Sequence, residues 1–209
     1  MWRWPDTTRI NQPLPKKALF AKFDWSSAQR AAVDSSISRM VLTRLISPAT
    51  VPALAEGTEV KSFYVVEVQL KQKSYAPEVL TLLAKAIPQR MLFELHYADE
   101  VQWATYQERL IASAWMPMGQ QELRLLQGTQ LDTLWEHLLR DISGLQQQAD
   151  GCSVLEQLKR NEARDKLLRK VALTEKRCRM EKQPRRKAEL FKQLTELKRQ
   201  LESFDKSIT

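Results

Sequence analysis

The residues whose types and spacing best suit chemistry lie in one stretch. Glu67, Gln69 and Lys71 alternate along an apolar run, so a strand there would turn all three to one face. With Glu59 ahead of them they follow the pattern of restriction-like, metal-dependent nucleases. In those sites acids hold a divalent cation, and the lysine steadies the attacking water or the strained phosphate. The acidic set is partial here, because a glutamine stands at position 69. Only this reading asks for a cofactor, Mg²⁺. The competing interpretation, an ordinary half-exposed strand whose charges face water, is the preferred one and leaves the chain without catalytic residues.

Other reactive groups are scattered. His96, His137, Cys152 and Cys178 show no close-pair spacing of the kind zinc requires. Cys178 has Lys176, Arg177 and Arg179 around it, which favour a thiolate, but a helical tail offers no pocket for a nucleophile. The five glycines (57, 119, 128, 144 and 151) build no phosphate loop. Neither a G-x-S-x-G elbow nor an H-E-x-x-H helix is present.

Charge is more telling. Residues 1–150 contain 16 Lys/Arg and 16 Asp/Glu, whereas residues 151–209 contain 17 and 9. The whole net charge of +8 therefore sits in the last 59 residues. A confined excess points to an acidic partner such as nucleic acid. The candidate phosphate contacts are Lys159, Arg160, Lys166, Arg169, Lys170, Lys176, Arg177, Arg179, Arg185, Arg186 and Lys187. Only Phe191 and Phe204 interleave with them, so base stacking is not the mode, and binding would follow the backbone without reading sequence. The N-terminal Trp2, Trp4 and Trp25 are expected to anchor a terminal arm rather than to stack on bases.

These groups need elements to position them. Of 209 residues, 43% are hydrophobic and 28% charged, which is globular composition with room for one domain and an appendage. No apolar run approaches the roughly 18 residues of a bilayer span. The opening residues lack the apolar core of a signal peptide, and two cysteines make no disulfide framework. The expectation is a cytoplasmic protein with no membrane partner.

Residues 1–150 predict a mixed α/β domain of α+β class, a small mixed sheet covered by helices. Ser26 or Ser27 caps a helix reaching Ile37. Met40–Ile46 and Val60–Lys71 predict strands. Pro77 opens a helix ended by Pro88, and a strand follows at 91–97. That order implies two parallel neighbours joined by a crossover. Residues 103–115 predict further strand, and 131–145 a helix. A polar linker at 146–151 leads into residues 151–209, a basic helical tail. There Leu190, Leu194, Leu197, Leu201 and Phe204 recur in 4-3-4-3 spacing, the seam of a coiled coil. Pro184 interrupts the tail, giving a hairpin or one kinked helix. The seam packs on the first arm of the tail or on a second copy of the chain.

The order of several segments carries a resemblance. Leu14-Pro15-Lys16-Lys17, Ile46-Ser47-Pro48-Ala49-Thr50, Glu67-Val68-Gln69-Leu70-Lys71, and Ala86-Ile87-Pro88 before Leu92-Phe93-Glu94-Leu95 come in sequence. Glu181-Lys182-Gln183, Lys187-Ala188-Glu189-Leu190 and Leu197-Lys198-Arg199-Gln200-Leu201 complete the tail. Over nearly the whole chain this resembles the bacterial domain-of-unknown-function family 4391, from which Pro184 is a departure. The resemblance implies a small bacterial protein encoded beside helicases and DNA methyltransferases in defence-type loci, and it supplies no catalytic residues. The expected function is thus a non-enzymatic accessory subunit whose basic tail engages nucleic acid or a helicase or methyltransferase partner. The alternatives are the metal-dependent nuclease and a structural, dimeric adaptor joined through the leucine seam.

Overall fold

Aliphatic and β-branched runs separated by proline-marked turns build a mixed sheet in the computed structural model, which describes residues 2–120, 126–146 and 151–206. In chain order the elements are β1 (Arg9–Pro13), α1 (Lys16–Lys22), α2 (Ser27–Ser36), β2 (Ile37–Ile46) and β3 (Phe63–Leu70). There follow α3 (Pro77–Ala86), β4 (Arg90–Tyr97), β5 (Glu100–Gln107), β6 (Arg109–Ala112), β7 (Met116–Pro117), α4 (Leu131–Ser143), α5 (Val154–Met180) and α6 (Pro184–Lys206). The architecture is α+β. The chain divides into two compact units, Met1–Gln148 and Ala149–Thr209.

The sheet order is β1-β2-β3-β4-β5-β6, with β7 beside β5. Only β3 and β4 run parallel, joined through α3; every other neighbour is antiparallel. The expected parallel pair is therefore present. The strand expected over 103–115 is two strands, turned at Glu108, which adopts φ 59°. Ser26 caps α2 with a capping box through Gln29, and the helix stops at Ser36 because Ile37 already belongs to β2.

Alternation divides β3 and β4 cleanly. Val66, Val68 and Leu70 with Phe93 and Leu95 turn to one face, where Val33 of α2 and Val79, Leu80 and Leu83 of α3 complete a core. The opposite face starts apolar and ends polar. Phe63 is fully buried there between the rings of Trp4 (6.1 Å) and Trp135 of α4 (5.0 Å), and Trp2 meets Trp103 edge-on at 4.6 Å. Trp2, Trp4 and Trp25 are all buried, so they anchor the N-terminal region as expected. The start of α4 is tied to the loop before β3 through Asp132. Its carboxylate accepts from the backbone N–H of Thr58 (2.6 Å), Val60 (2.7 Å) and Glu59 (3.2 Å).

In the second unit, Ser153 caps α5 with a capping box through Glu156. Glu181–Gln183 forms the turn, and Pro184 is the first residue of α6, where its missing N–H costs no helical bond. The tail is a hairpin, not a kinked helix. The Cys178 thiol lies 3.9 Å from the carbonyl oxygen of Lys187, and Lys198 reaches back to Glu175 at 2.7 Å.

Candidate functional site

The proposed nuclease residues are not assembled. Glu59 precedes β3 and pairs with Arg90 at 3.3 Å. Lys71 stands just past the other end of the strand, so the two are separated by about 26 Å of extended chain. The strand stops at Leu70, and Lys71 turns toward Asp34 of α2 at 4.0 Å instead of continuing the line of Glu67 and Gln69. Glu67 itself pairs with Arg39 at 3.0 Å, and Gln69 donates to the carbonyl of His96 at 3.3 Å. Among the described residues no three His, Cys, Asp or Glu side chains are placed to share a metal ion. His137 lies partly buried on α4, Cys152 is buried beside Glu156, and Cys178 lies within the hairpin.

What β3 and β4 do bring together went unseen in the sequence. Parallel register places Glu67 opposite Glu94 and Gln69 opposite His96. Thus two carboxylates and an imidazole gather on the polar end of one sheet face. His96 Nε2 lies 3.4 Å from Glu94 Oε1, at ion-pair distance but without hydrogen-bond alignment. That polar contact with Glu94 raises the imidazole above its ordinary pKa of 6.5, burial opposing it and the charges of Glu94 and Glu67 adding to it. No spacing rule within one strand signals such a cluster, because its members come from strands 27 residues apart in register.

The hairpin assembles a different surface. Leu190, Leu194, Leu197, Leu201 and Phe204 are the only side chains not exposed among the described ones of α6, and Leu194 is buried. On α5 the covered line at the same 3-4 spacing is Gln157, Arg160, Arg164, Leu167, Val171, Thr174 and Cys178. The antiparallel alignment set by Cys178 and Lys187 puts Val171 level with Leu194. The leucine seam is therefore taken up by the chain's own first arm.

With the seam turned inward, the cations are left outside. Lys159, Lys166, Arg169, Lys170, Lys176, Arg177, Arg179, Arg185, Arg186 and Lys187 are exposed, and Arg160 is partly covered. Lys159, Lys166, Lys170 and Arg177 recur at 7-4-7 spacing, so they line one flank of α5 over about 27 Å. That span matches roughly eight base-pair rises of duplex DNA. Two further cations of α6 are engaged: Lys198 crosses the hairpin to Glu175, and Arg199 grips Glu196 through two bonds of 3.0 Å. The partner of Lys198 is visible only once the helices are set side by side, whereas that of Arg199 lies three residues away on the same helix.

The chain belongs to the DUF4391 family, a domain of unknown function, whose family model matches residues 3–201. No curated protein and no solved structure gives a match. No helix among the described residues is long and apolar enough to cross a membrane.

Proposed function

Taking that family and the hairpin as premises, we propose that this protein is a non-catalytic accessory subunit that holds nucleic acid by its backbone through the α5–α6 hairpin. The observation that carries the reading is the fate of the seam. Because Leu190, Leu194, Leu197 and Leu201 are covered within the chain, the outer surface of the hairpin is dominated by charged side chains, with cations in excess of acids. That surface also holds the entire net charge of +8. Lysine and arginine heads on long stems can meet phosphates without fixed geometry, so the contact is electrostatic and indifferent to base sequence. The defence-type setting beside helicases and methyltransferases, implied by the family resemblance, gives such a subunit a role: presenting nucleic acid to an enzyme that processes it. A dimeric adaptor would need the seam free for a second chain, and the intramolecular packing of the seam argues against it.

The test is fluorescence anisotropy of the full chain with labelled duplexes of unrelated sequence. Binding should be similar across sequences and fall steeply with salt. Replacing Arg185, Arg186 and Lys187 together with alanine should make the negative slope of log K against log salt shallower by roughly 2.7, about 0.9 per lost phosphate contact. An unchanged slope, or binding insensitive to salt, would overturn the reading.

A further inference from the structure

The polar end of the sheet face lines a half-open cavity of about 370 Å³, distinct from the hairpin and independent of its proposed role. Its walls include Trp4, Arg9, Asn11, Arg44, Glu94 and His96. The volume falls in the roughly 300–1,000 Å³ range of small-ligand sites.

Two irregularities of the sheet lead to this spot. Between Leu42 and Arg44, β2 carries one residue more than β3 opposite it, and the extra residue is Thr43. Leu42 lies on the apolar face, opposite Val66; in a regular strand Arg44, two residues on, would join it there. The bulge moves Arg44 to the row of Val65, on the cavity side. Between Arg9 and Gln12, β1 likewise carries one residue more than β2, and Asn11 there adopts φ 46°. Bulges recur at sheet edges, where β1 lies, and beside functional sites, where they re-aim side chains.

The result places Arg9 directly opposite Arg44 on neighbouring strands. Like charges in that position repel, so a bare pair is destabilising. Burial and then the charge of Arg9 hold the Arg44 guanidinium below its ordinary pKa, against Asp6 and Glu94. Arg44 gives one guanidinium nitrogen to the carbonyl of Pro5 and the hydroxyl of Thr8. A third donor is nearby. Trp4 is 8% exposed, and its buried indole N–H has no acceptor. His96 Nε2 is the second buried nitrogen without a hydrogen bond in this wall. The acceptors in the same wall are Glu67, which pairs with Arg39, and Glu94, 3.4 Å from His96.

We infer that this cavity is a nucleotide-binding site, in which Arg9 and Arg44 hold a 5′-phosphate and Glu67 and Glu94 accept from the amino groups of the base. Paired guanidinium groups suit a phosphate, whose charge would relieve their repulsion. Carboxylates accept from exocyclic amines such as cytosine N4. The phosphate could belong to a free mononucleotide or to the 5′ end of a strand, and the chemistry recognised is the same.

Calorimetry on the full chain carrying R185E, R186E and K187E removes part of the competing basic surface. The probes are AMP, CMP, GMP, UMP, adenosine and inorganic phosphate. Saturable one-to-one binding is expected for the nucleotides, tighter for AMP, CMP and GMP than for UMP. Arg9→Ala should weaken AMP by about tenfold, the equivalent of one lost charge-assisted contact, and leave adenosine unchanged. Arg9 is over half exposed and its one ion pair is to exposed Asp6, so the variant should fold. Displacement of AMP by a 5′-phosphorylated oligonucleotide would identify a strand end as the source, and failure to displace it a free nucleotide. Absence of nucleotide binding, inorganic phosphate binding as tightly as AMP, or Arg9→Ala binding AMP like the parent would each overturn the assignment. None of these outcomes bears on duplex binding by the hairpin.

Discussion

In the sheet domain, charges meet across elements: Arg39 with Glu67, Arg90 with Glu59, Lys73 with Glu100, Lys16 with Asp34. In the hairpin, Lys198 crosses to Glu175, while Arg199 pairs with Glu196 and Arg185 with Glu189 within α6 itself, and 17 cations stand against 9 acids. The apolar groups divide in the opposite sense. The sheet buries Phe63, Phe93, Leu80, Leu83, Leu92 and Leu95 below 2% exposure, whereas the hairpin buries few apolar side chains and leaves Met180 at 71% and Phe191 at 62%. Balanced charges over a deep core make a scaffold that can hold a shaped site. An unbalanced, thinly cored hairpin makes a surface for a large, repetitive anion. The same chain thus offers two kinds of recognition, one by geometry and one by field.

The contrast is broken most forcefully at the core. Phe63→Ala removes a fully buried ring from between Trp4 and Trp135 and should cost about 3–5 kcal/mol, read as a fall in the denaturation midpoint of the sheet domain. A loss below 1 kcal/mol would mean that this face is not the packed scaffold described.

In the hairpin the corresponding experiment is Leu194→Asp with Leu201→Asp. Charge placed in the seam should melt α5–α6, seen as lost helical circular dichroism, while the transition of the sheet domain persists. The mass by light scattering should not change, because the seam is covered by the chain's own arm. A drop in mass would return the seam to an interface between copies.

A smaller effect is expected at the clamp on α4. A Cβ added to Gly57 would lie 2.3 Å from Asp132 Oδ1 and 2.7 Å from the carbonyl of Val60. Gly57→Ala should therefore displace the carboxylate from its three backbone donors, costing about 1–3 kcal/mol. Burial raises the Asp132 pKa, but the N–H groups of Val60, Thr58 and Glu59 outweigh it, and the net value is lowered. The stabilisation is full above the ordinary 3.8 and fades as pH falls through the lowered value; in Gly57→Ala that acid sensitivity should shrink.

These sites differ in how far the sequence reveals them. The seam of α6 was legible because all five residues belong to one helix and one period. Strand β3 was legible because its alternation is unbroken, although its end lies one residue before Lys71, enough to turn that lysine to another partner. β1 was not: Arg-Ile-Asn-Gln-Pro is wholly exposed, and no buried face imposes a pattern on it. The cavity was hidden for a related reason. Arg9 meets Arg44, and Glu67 meets Glu94, through strand register, and the bulge at Thr43 reverses the face that simple alternation assigns to Arg44.

The smallest effect should come from His96, and its sign separates the two regions. The contact with Glu94 raises the folded-state pKa of His96 above its unfolded value, so the protonated imidazole favours the fold. Its contribution is complete below the ordinary value of 6.5 and is lost as pH rises through the raised folded value. In Glu94→Gln the carboxylate is gone, and stability between mildly acidic and mildly alkaline pH should become flatter than in the parent. Arg39 and the partly exposed edge of the site screen the interaction, so the change should be small beside that of Phe63→Ala. Duplex binding by the hairpin should keep its pH profile in the same variant, since the hairpin contains no histidine. A parallel change in both profiles would show that the protonation of His96 reaches the nucleic-acid surface, and the two kinds of recognition would then be one coupled system.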